Sequence, residues 1–144
     1  MLSHPRCVRE RAEDLDEVRS MIDAGETDIA IDELRWLVDG CREFIEAHCM
    51  LGELVLLENN DTALARGHFG YAYQLGLTAL RRAKNPTPLP YRLPANQAFF
   101  EAGKGLASCL GQLDKTTMAI ETLQQLLDCD PTDPLGLQEM LANL

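Results

Sequence analysis

The stretch that decides the fold is ALARGHFGYA, residues 63–72. Its Ala65, Phe69 and Ala72 follow the spacing i, i+4, i+7, which places three apolar side chains on one stripe of a helix. Two further triplets share this spacing and the initial alanine: Ala30–Leu34–Leu37 and Ala119–Leu123–Leu126. An alanine at the start of each stripe is typical of a point where two helices cross closely. The recurrence therefore predicts a chain built from repeated helical units.

A second apolar stripe precedes each triplet, so every unit is expected to hold two helices. These upstream stripes run through Leu15, Val18, Met21 and Ile22, then through His48, Leu51, Gly52 and Val55, and then through Phe99, Gly103, Leu106, Ala107 and Leu110. Turn residues separate the two members of each pair, and Thr27, Asp61 and Asp114 are predicted N-caps there. A short side-chain oxygen at that position can accept an unpaired first-turn N–H. The sequence predicts six helices in three antiparallel hairpins.

The period of the triplets indicates a known repeat family. Ala30 and Ala65 are 35 residues apart, and Ala65 and Ala119 are 54 apart, which is one period of about 34 residues plus an insertion of roughly 20. The pattern resembles the tetratricopeptide repeat (TPR), whose signature is W-x2-L-G-x2-Y, then A-x3-F, then A, then P. HCMLGELV at 48–55 is similar to the first part, the 63–72 stretch matches the second, and Pro131 closes the third unit. The resemblance implies an all-α domain, a right-handed stack of antiparallel helix hairpins with about seven helices.

The resemblance also gives boundaries within a single domain spanning residues 1–144. The expected parts are repeats near 12–41, 42–76 and 96–131, an insertion at 77–95 and a capping helix at 134–143. Asp133 and Pro134 suit the N-cap and first turn of that last helix. The surrounding LDCDPTDPLG, residues 127–136, is not predicted to bind calcium. A calcium loop that started at Asp128 would have Asp133 where a glycine is needed.

The insertion, LTALRRAKNPTPLPYRLPA, contains four prolines and breaks the repeat period. We expect LTALRRA to prolong the preceding helix and the segment from Pro86 to Pro94 to be extended. It is either a rigid connector or a recognition edge that could also fold back on the acidic N-terminal half. The residues of this basic edge are Arg81, Arg82, Lys84, Tyr91 and Arg92.

Charge excludes some classes of partner. The chain of 144 residues has a net charge of −10, whereas nucleic-acid binding requires Lys and Arg for the phosphates, so no nucleic-acid partner is predicted.

No apolar run approaches the roughly 18 residues of a membrane span, so no membrane partner is predicted. The charged N-terminus lacks the apolar middle of a signal peptide, and the expected location is the cytoplasm. A homo-oligomer is left open.

The cysteines and histidines do not form a recognisable site. The five cysteines are odd in number and lack a C-x-x-C spacing, so we predict reduced thiols, with no disulfide framework and no zinc finger. His48, Cys49 and His68 could bind zinc if they converged, but packing roles are favoured because no i, i+3 or i, i+4 ligand pair occurs. No metal and no cofactor are predicted.

The predicted function is non-catalytic binding of a peptide or protein segment. No phosphate-binding loop, dinucleotide motif or nucleophile motif occurs, so the chain is not expected to be an enzyme. The resemblance implies that the first helix of each pair lines a concave groove, which here would carry Arg19, Cys49, Glu53, Lys104 and Ser108. This partly acidic groove favours an extended peptide with basic and apolar residues. The alternatives are a small acidic TPR chaperone like those of type III secretion translocators, and a structural module of a larger assembly, with its groove filled by its own insertion.

Overall fold

The computed structural model describes residues 1–84 and 87–144, and these are 75% helical without any strand. The described part contains eight helices rather than seven. They are α1 Arg6–Glu10, α2 Ala12–Asp23, α3 Thr27–Gly40, α4 Ile45–Asn59, α5 Thr62–Arg82, α6 Pro94–Gln112, α7 Thr116–Cys129 and α8 Leu137–Ala142. The additional one is the short α1, which the apolar period could not reveal because it belongs to no hairpin.

Consecutive helices from α2 to α8 pack against one another, and α4 also packs against α6. The short turns between α2 and α3, α4 and α5, and α6 and α7 make the members of each pair antiparallel neighbours. All side chains of the three predicted triplets are buried, with no more than 2% of any of them exposed. The i, i+4, i+7 stripes are therefore confirmed as the core-facing sides of α3, α5 and α7.

Phe69 on α5 is the residue around which three helices meet. A Cβ placed on Gly52 of α4 would lie 2.8 Å from its ring, and one placed on Gly105 of α6 would lie 2.7 Å from it. Because real Cβ atoms do not approach so closely, only glycine admits the ring at either position. The glycines on α4 and α6 thus allow these helices to approach α5 closely.

The N-terminal arm, residues 1–5, is attached to the start of α6. Leu2 is buried, and its N–H donates to Asn96 Oδ1 at 2.8 Å. Asn96 is itself fully buried and donates from Nδ2 to the Pro90 carbonyl at 2.8 Å. His4 Nε2 lies 2.7 Å from the Ala95 carbonyl. The arm therefore connects the first hairpin to the start of α6.

The insertion is anchored against the core in its described part. As predicted, α5 continues through the first part of the insertion and ends at Arg82. Leu89 is buried, and its N–H donates to the Cys129 carbonyl at 2.9 Å. The Thr87–Pro88 peptide bond is cis. The predicted extended path runs from Pro86, which lies outside the described residues, to Pro94. Thr87–Pro90 is non-helical, but residues 91–93 form a turn and Pro94 is the first residue of α6, so the prediction is wrong for the second half of this segment.

The LDCDPTDPLG stretch joins two helices and also holds the insertion. Asp130 is buried and accepts hydrogen bonds from Tyr91 N–H at 2.8 Å and from the Thr132 hydroxyl at 2.6 Å. Asp133 accepts from the N–H groups of Leu137 and Gln138, at 2.6 and 3.0 Å. Asp133 therefore hydrogen-bonds the first N–H groups of α8, but the N-cap is Gly136 and not Asp133 as predicted. The helix begins at Leu137 and not at residue 134, because Gly136 adopts a left-handed conformation with φ of 71°.

Two of the three N-caps predicted within the hairpins are wrong. Asp61 does accept a hydrogen bond from Leu64 N–H at 3.1 Å. By contrast, the caps of α3 and α7 are Glu26 and Lys115, each one residue away from the predicted cap, and neither makes a side-chain capping bond. Asp114 has a left-handed backbone, with φ of 61°. Turn composition therefore located the helix starts to within a residue but not the capping atoms.

A disulfide joins Cys7 to Cys41, which corrects the prediction that all thiols are reduced. The two cysteines are 34 residues apart in the chain, and α1 has to fold back toward the turn between α3 and α4 before they can meet. Cys49, Cys109 and Cys129 are free and buried. Disulfides are typical of oxidising compartments, so this pair counts against the predicted cytoplasmic location.

Candidate binding surfaces

The outer sides of the first helices α2, α4 and α6 form what we call the first-helix face. On α4 its residues are Glu46, Cys49 and Glu53, and on α6 they are Glu101, Lys104 and Ser108, both with the spacing i, i+3, i+7. Each set therefore lies on one stripe of its helix. Arg19 of α2 adjoins this surface, since it forms ion pairs with Glu46 and, at 2.8 Å, with Asp16.

Cys49 is not available to a ligand, contrary to its predicted place in the groove. Its side chain is 3% exposed, and its thiol donates to Glu53 Oε1 at 3.7 Å. Burial, followed by the nearby charge of Glu53, raises the pKa of the Cys49 thiol far above its usual range. The thiol is therefore neutral at physiological pH and serves to hold the Glu53 carboxylate.

Glu53 is the unusual charge on this face. It is exposed, yet partial desolvation of its carboxylate raises its pKa, and repulsion from Glu101 and Glu46 acts in the same direction. The hydrogen bond from Cys49 opposes this shift. Among the described residues Glu53 has no ion-pair partner. A cation that reached it would relieve this repulsion.

The other predicted groove residues do not converge on Glu53. Lys104 Nζ is 3.5 Å from the Leu135 carbonyl, so it points toward the segment before α8. Ser108 is exposed one turn further along α6. Of the predicted groove residues, the structure therefore brings only Cys49 and Glu53 together. Arg19 is paired with acids on the N-terminal side. Lys104 and Ser108 lie toward the C-terminal end.

The predicted basic edge loses one member. Arg81, Arg82, Lys84 and Arg92 are exposed. Tyr91 instead donates from its hydroxyl to Glu101 Oε1 at 2.6 Å. This hydrogen bond is the largest cause, followed by desolvation, of a rise in the pKa of Tyr91 to about 12. Its ring meets Phe100 edge-on at 5.8 Å. Tyr91 therefore attaches the insertion to α6.

Two clefts lie on the opposite side of the hairpins, along the second helices. A cleft of about 480 Å³ is bounded by α3, α4 and α5, and a cleft of about 690 Å³ by α5, α6 and α7. Both are lined by Gly67 and Tyr71 of α5, so they meet there, and together we call them the α5 trough. Three large apolar side chains on these walls are exposed: Leu64 by 43%, Tyr71 by 47% and Met118 by 46%.

The floor of the α5 trough is formed by backbone atoms at two glycines, which have no side chain to cover it. A Cβ on Gly67 would meet no atom within 4 Å, and one on Gly70 would meet only Leu106, at 3.7 Å. Sequence reasoning missed this surface because the stripe Leu64, His68 and Tyr71 has the helical spacing of a packed interface. The available signal was the pair of glycines, which cost stability within a helix and are not needed there for close packing.

The sequence favours packing over zinc binding for His48, Cys49 and His68, and the first two make other contacts within the protein. The His48 ring packs against Tyr71 at 4.5 Å, and its Nε2 lies 2.9 Å from the Arg42 carbonyl. Burial lowers the pKa of His48, with the Arg42 bond opposing, and burial likewise lowers the pKa of His68. Cys49 points to Glu53 instead. Within residues 1–84 and 87–144, no three His, Cys, Asp or Glu side chains are grouped so that they could hold a metal ion.

Comparison with protein-family models, with curated proteins and with solved structures found no match for this chain. None of the helices in the described ranges is both long enough and apolar enough to cross a membrane. The assignment of function therefore depends on the two surfaces described above.

Proposed function

We propose that the chain is a TPR-like stack of helix hairpins that binds a helical segment of another protein in the α5 trough, without catalysis. The observation that carries this proposal is the bare floor at Gly67 and Gly70, with exposed apolar side chains on the walls. Such a floor lets the backbone of a bound helix approach α5 closely. Helix-in-groove recognition uses apolar anchors in a groove of this kind.

The trough is favoured over the first-helix face as the main site because more of its side chains are free to contact a partner. Two of the groove residues implied by the TPR resemblance, Arg19 and Lys104, already have partners within the chain. A third, Cys49, is buried. In the trough, by contrast, Leu64, Tyr71 and Met118 expose apolar area that only a partner could bury. Burial of such area is the main driving force of protein association.

The first-helix face is the second candidate, because Glu53 has a raised pKa and two acidic neighbours. A peptide that placed Lys or Arg against Glu53, Glu46 and Glu101 would relieve their mutual repulsion. This is the basic-peptide binding expected from the sequence. The structural-module alternative, in which the insertion fills the groove, is supported at one point of this face, since Tyr91 of the insertion donates to Glu101.

The experiment compares one variant in each face against a native partner. The partner is identified by copurification, its bound segment is mapped, and its affinity is measured by calorimetry. A Cβ at Gly67 would meet no atom within 4 Å, so Gly67→Leu should occupy the trough floor, lower the affinity by about tenfold or more and leave the melting temperature unchanged or higher. Glu53→Lys should leave the affinity unchanged at physiological salt.

The reverse result assigns the site to the first-helix face. In that case Glu53→Lys weakens binding, the effect shrinks as salt screens the exposed charges, and Gly67→Leu has no effect. Glu139→Gln is the control, because Glu139 is exposed on α8, outside the first-helix face, and lines neither cleft of the trough. A loss of affinity in Glu139→Gln of the same size would indicate that neither face is specific.

A further inference from the structure

The outer side of α3 carries an apolar pair that the described part of the chain leaves exposed. Ile29 is 53% exposed and Trp36, the single tryptophan of the chain, is 61% exposed. With Asp32 between them they have the spacing i, i+3, i+7, so they share one stripe, which we call the Trp36 patch. The α3 wall of the α5 trough is formed by other residues, Arg35, Val38 and Asp39.

The charge around the Trp36 patch indicates what can cover it. Residues 12–40, which include α2 and α3, contain ten acidic and two basic residues, a balance of 2 − 10 = −8. Both basic residues are already paired, Arg19 with Asp16 at 2.8 Å and Arg35 with Asp32 at 3.8 Å. Asp28 is exposed beside Ile29 and has no ion-pair partner in the described part of the chain.

We propose that the Trp36 patch docks a basic amphipathic segment of a partner protein. Its apolar side chains would pack between Ile29 and Trp36, one Lys or Arg would lie over the indole ring near Asp32, and a second would face Asp28 beside Ile29. A cation over tryptophan is the strongest of the cation–π pairings, and tryptophan is enriched among residues that dominate binding energy. An anionic partner such as nucleic acid would be repelled by the hairpin.

This surface goes beyond the proposed function, because it lies outside the α5 trough and selects its partner by charge. It also offers its own reporter. Trp36 is the chain's only tryptophan, so tryptophan fluorescence, excited at a wavelength that tyrosine does not absorb, reports on this patch alone. Burial of the exposed indole would shift its emission to shorter wavelength.

The test uses the full chain with its disulfide and a synthetic probe, a helical peptide of Leu and Lys about 14 residues long, or roughly four turns. Addition of the peptide should shift the Trp36 emission to shorter wavelength. The double variant Asp28→Asn, Asp32→Asn should weaken binding by about tenfold and reduce its dependence on salt. Glu139→Gln, which removes an exposed charge from α8, is the matched control and should bind like the wild type.

Three results would overturn the proposal. The first is calorimetric binding of the Lys peptide without an emission shift, which would place the peptide at another acidic surface such as the first-helix face. The second is an equal shift with a peptide that has Glu in place of Lys, since the patch would then not select by charge. The third is a shift that grows with concentration of the protein alone together with a dimer mass in sedimentation, because a second copy would then be the occupant.

Discussion

Two pairs of glycines at α5 and its neighbours differ in what surrounds them. Gly52 and Gly105 face the Phe69 ring so closely that no side chain fits, since a Cβ added to them would lie 2.8 and 2.7 Å from the ring. Gly67 and Gly70 belong to α5 itself, and the space above them is open or nearly so. The first pair is explained by packing, and the second is not. A glycine that weakens a helix without permitting a close contact points to something that approaches from outside.

The largest expected effect on stability comes from adding a side chain at a glycine that packs against Phe69. Gly105→Leu forces the Phe69 ring or α6 itself to move, so we expect the free energy of unfolding to fall by about 1–3 kcal/mol. Chemical denaturation monitored by circular dichroism measures the change. Gly67→Leu introduces the same side chain on the open side and should cost nothing. Equal losses for the two variants would mean that the two glycine pairs do not differ as described.

The contrast between these pairs also separates what the sequence could predict from what it could not. The period placed Ala65, Phe69 and Ala72 correctly in the core, because a buried helical stripe repeats along the chain. It could not predict that Leu2 would bond to Asn96, 94 residues away, or that Cys7 would meet Cys41. Such contacts are single and non-periodic, so they leave no pattern in the sequence.

The candidate sites were harder to predict than the fold, for a related reason. The TPR resemblance assigned Cys49 and Lys104 to a shared groove by helix position alone. Side-chain direction then separated them, since Cys49 is buried against Glu53 while Lys104 reaches toward Leu135. The α5 trough was missed because the sequence cannot distinguish a stripe that packs from one that is exposed.

A gain of stability is expected on the open side of α5. Gly67→Ala removes the conformational entropy that glycine loses in a helix and meets no neighbouring atom, so the free energy of unfolding should rise by about 0.5–1 kcal/mol. Thermal unfolding of the protein without any partner measures this change. Gly52→Ala is the control, because the same gain in helix propensity is opposed there by the contact with Phe69. A loss of stability in Gly67→Ala would mean that the trough floor is occupied by the chain itself.

The smallest expected effect is a pH-dependent change in the free energy of unfolding caused by Glu53 on the first-helix face. The pKa of Glu53 is raised in the folded chain by desolvation and by Glu101 and Glu46, so its ionised form is less favourable there than in the unfolded chain. This cost is absent below the unfolded pKa of about 4.3 and develops as the pH rises through the higher folded value. Removal of the charge should therefore stabilise the chain at neutral pH and not in acid.

Glu53→Gln tests this expectation, because it keeps an oxygen that can accept from the Cys49 thiol but removes the charge. It should be more stable than the wild type at pH 7, by no more than a few tenths of a kcal/mol because the group is exposed, and equally stable near pH 3. Denaturation curves at both pH values measure the difference. Glu58→Gln, at an exposed position on the same helix, is the control and should show no such pH-dependent gain. If Glu53→Gln is less stable than the wild type at pH 7, an unidentified cation already neutralises this carboxylate, and the basic-peptide site on the first-helix face loses its physical basis.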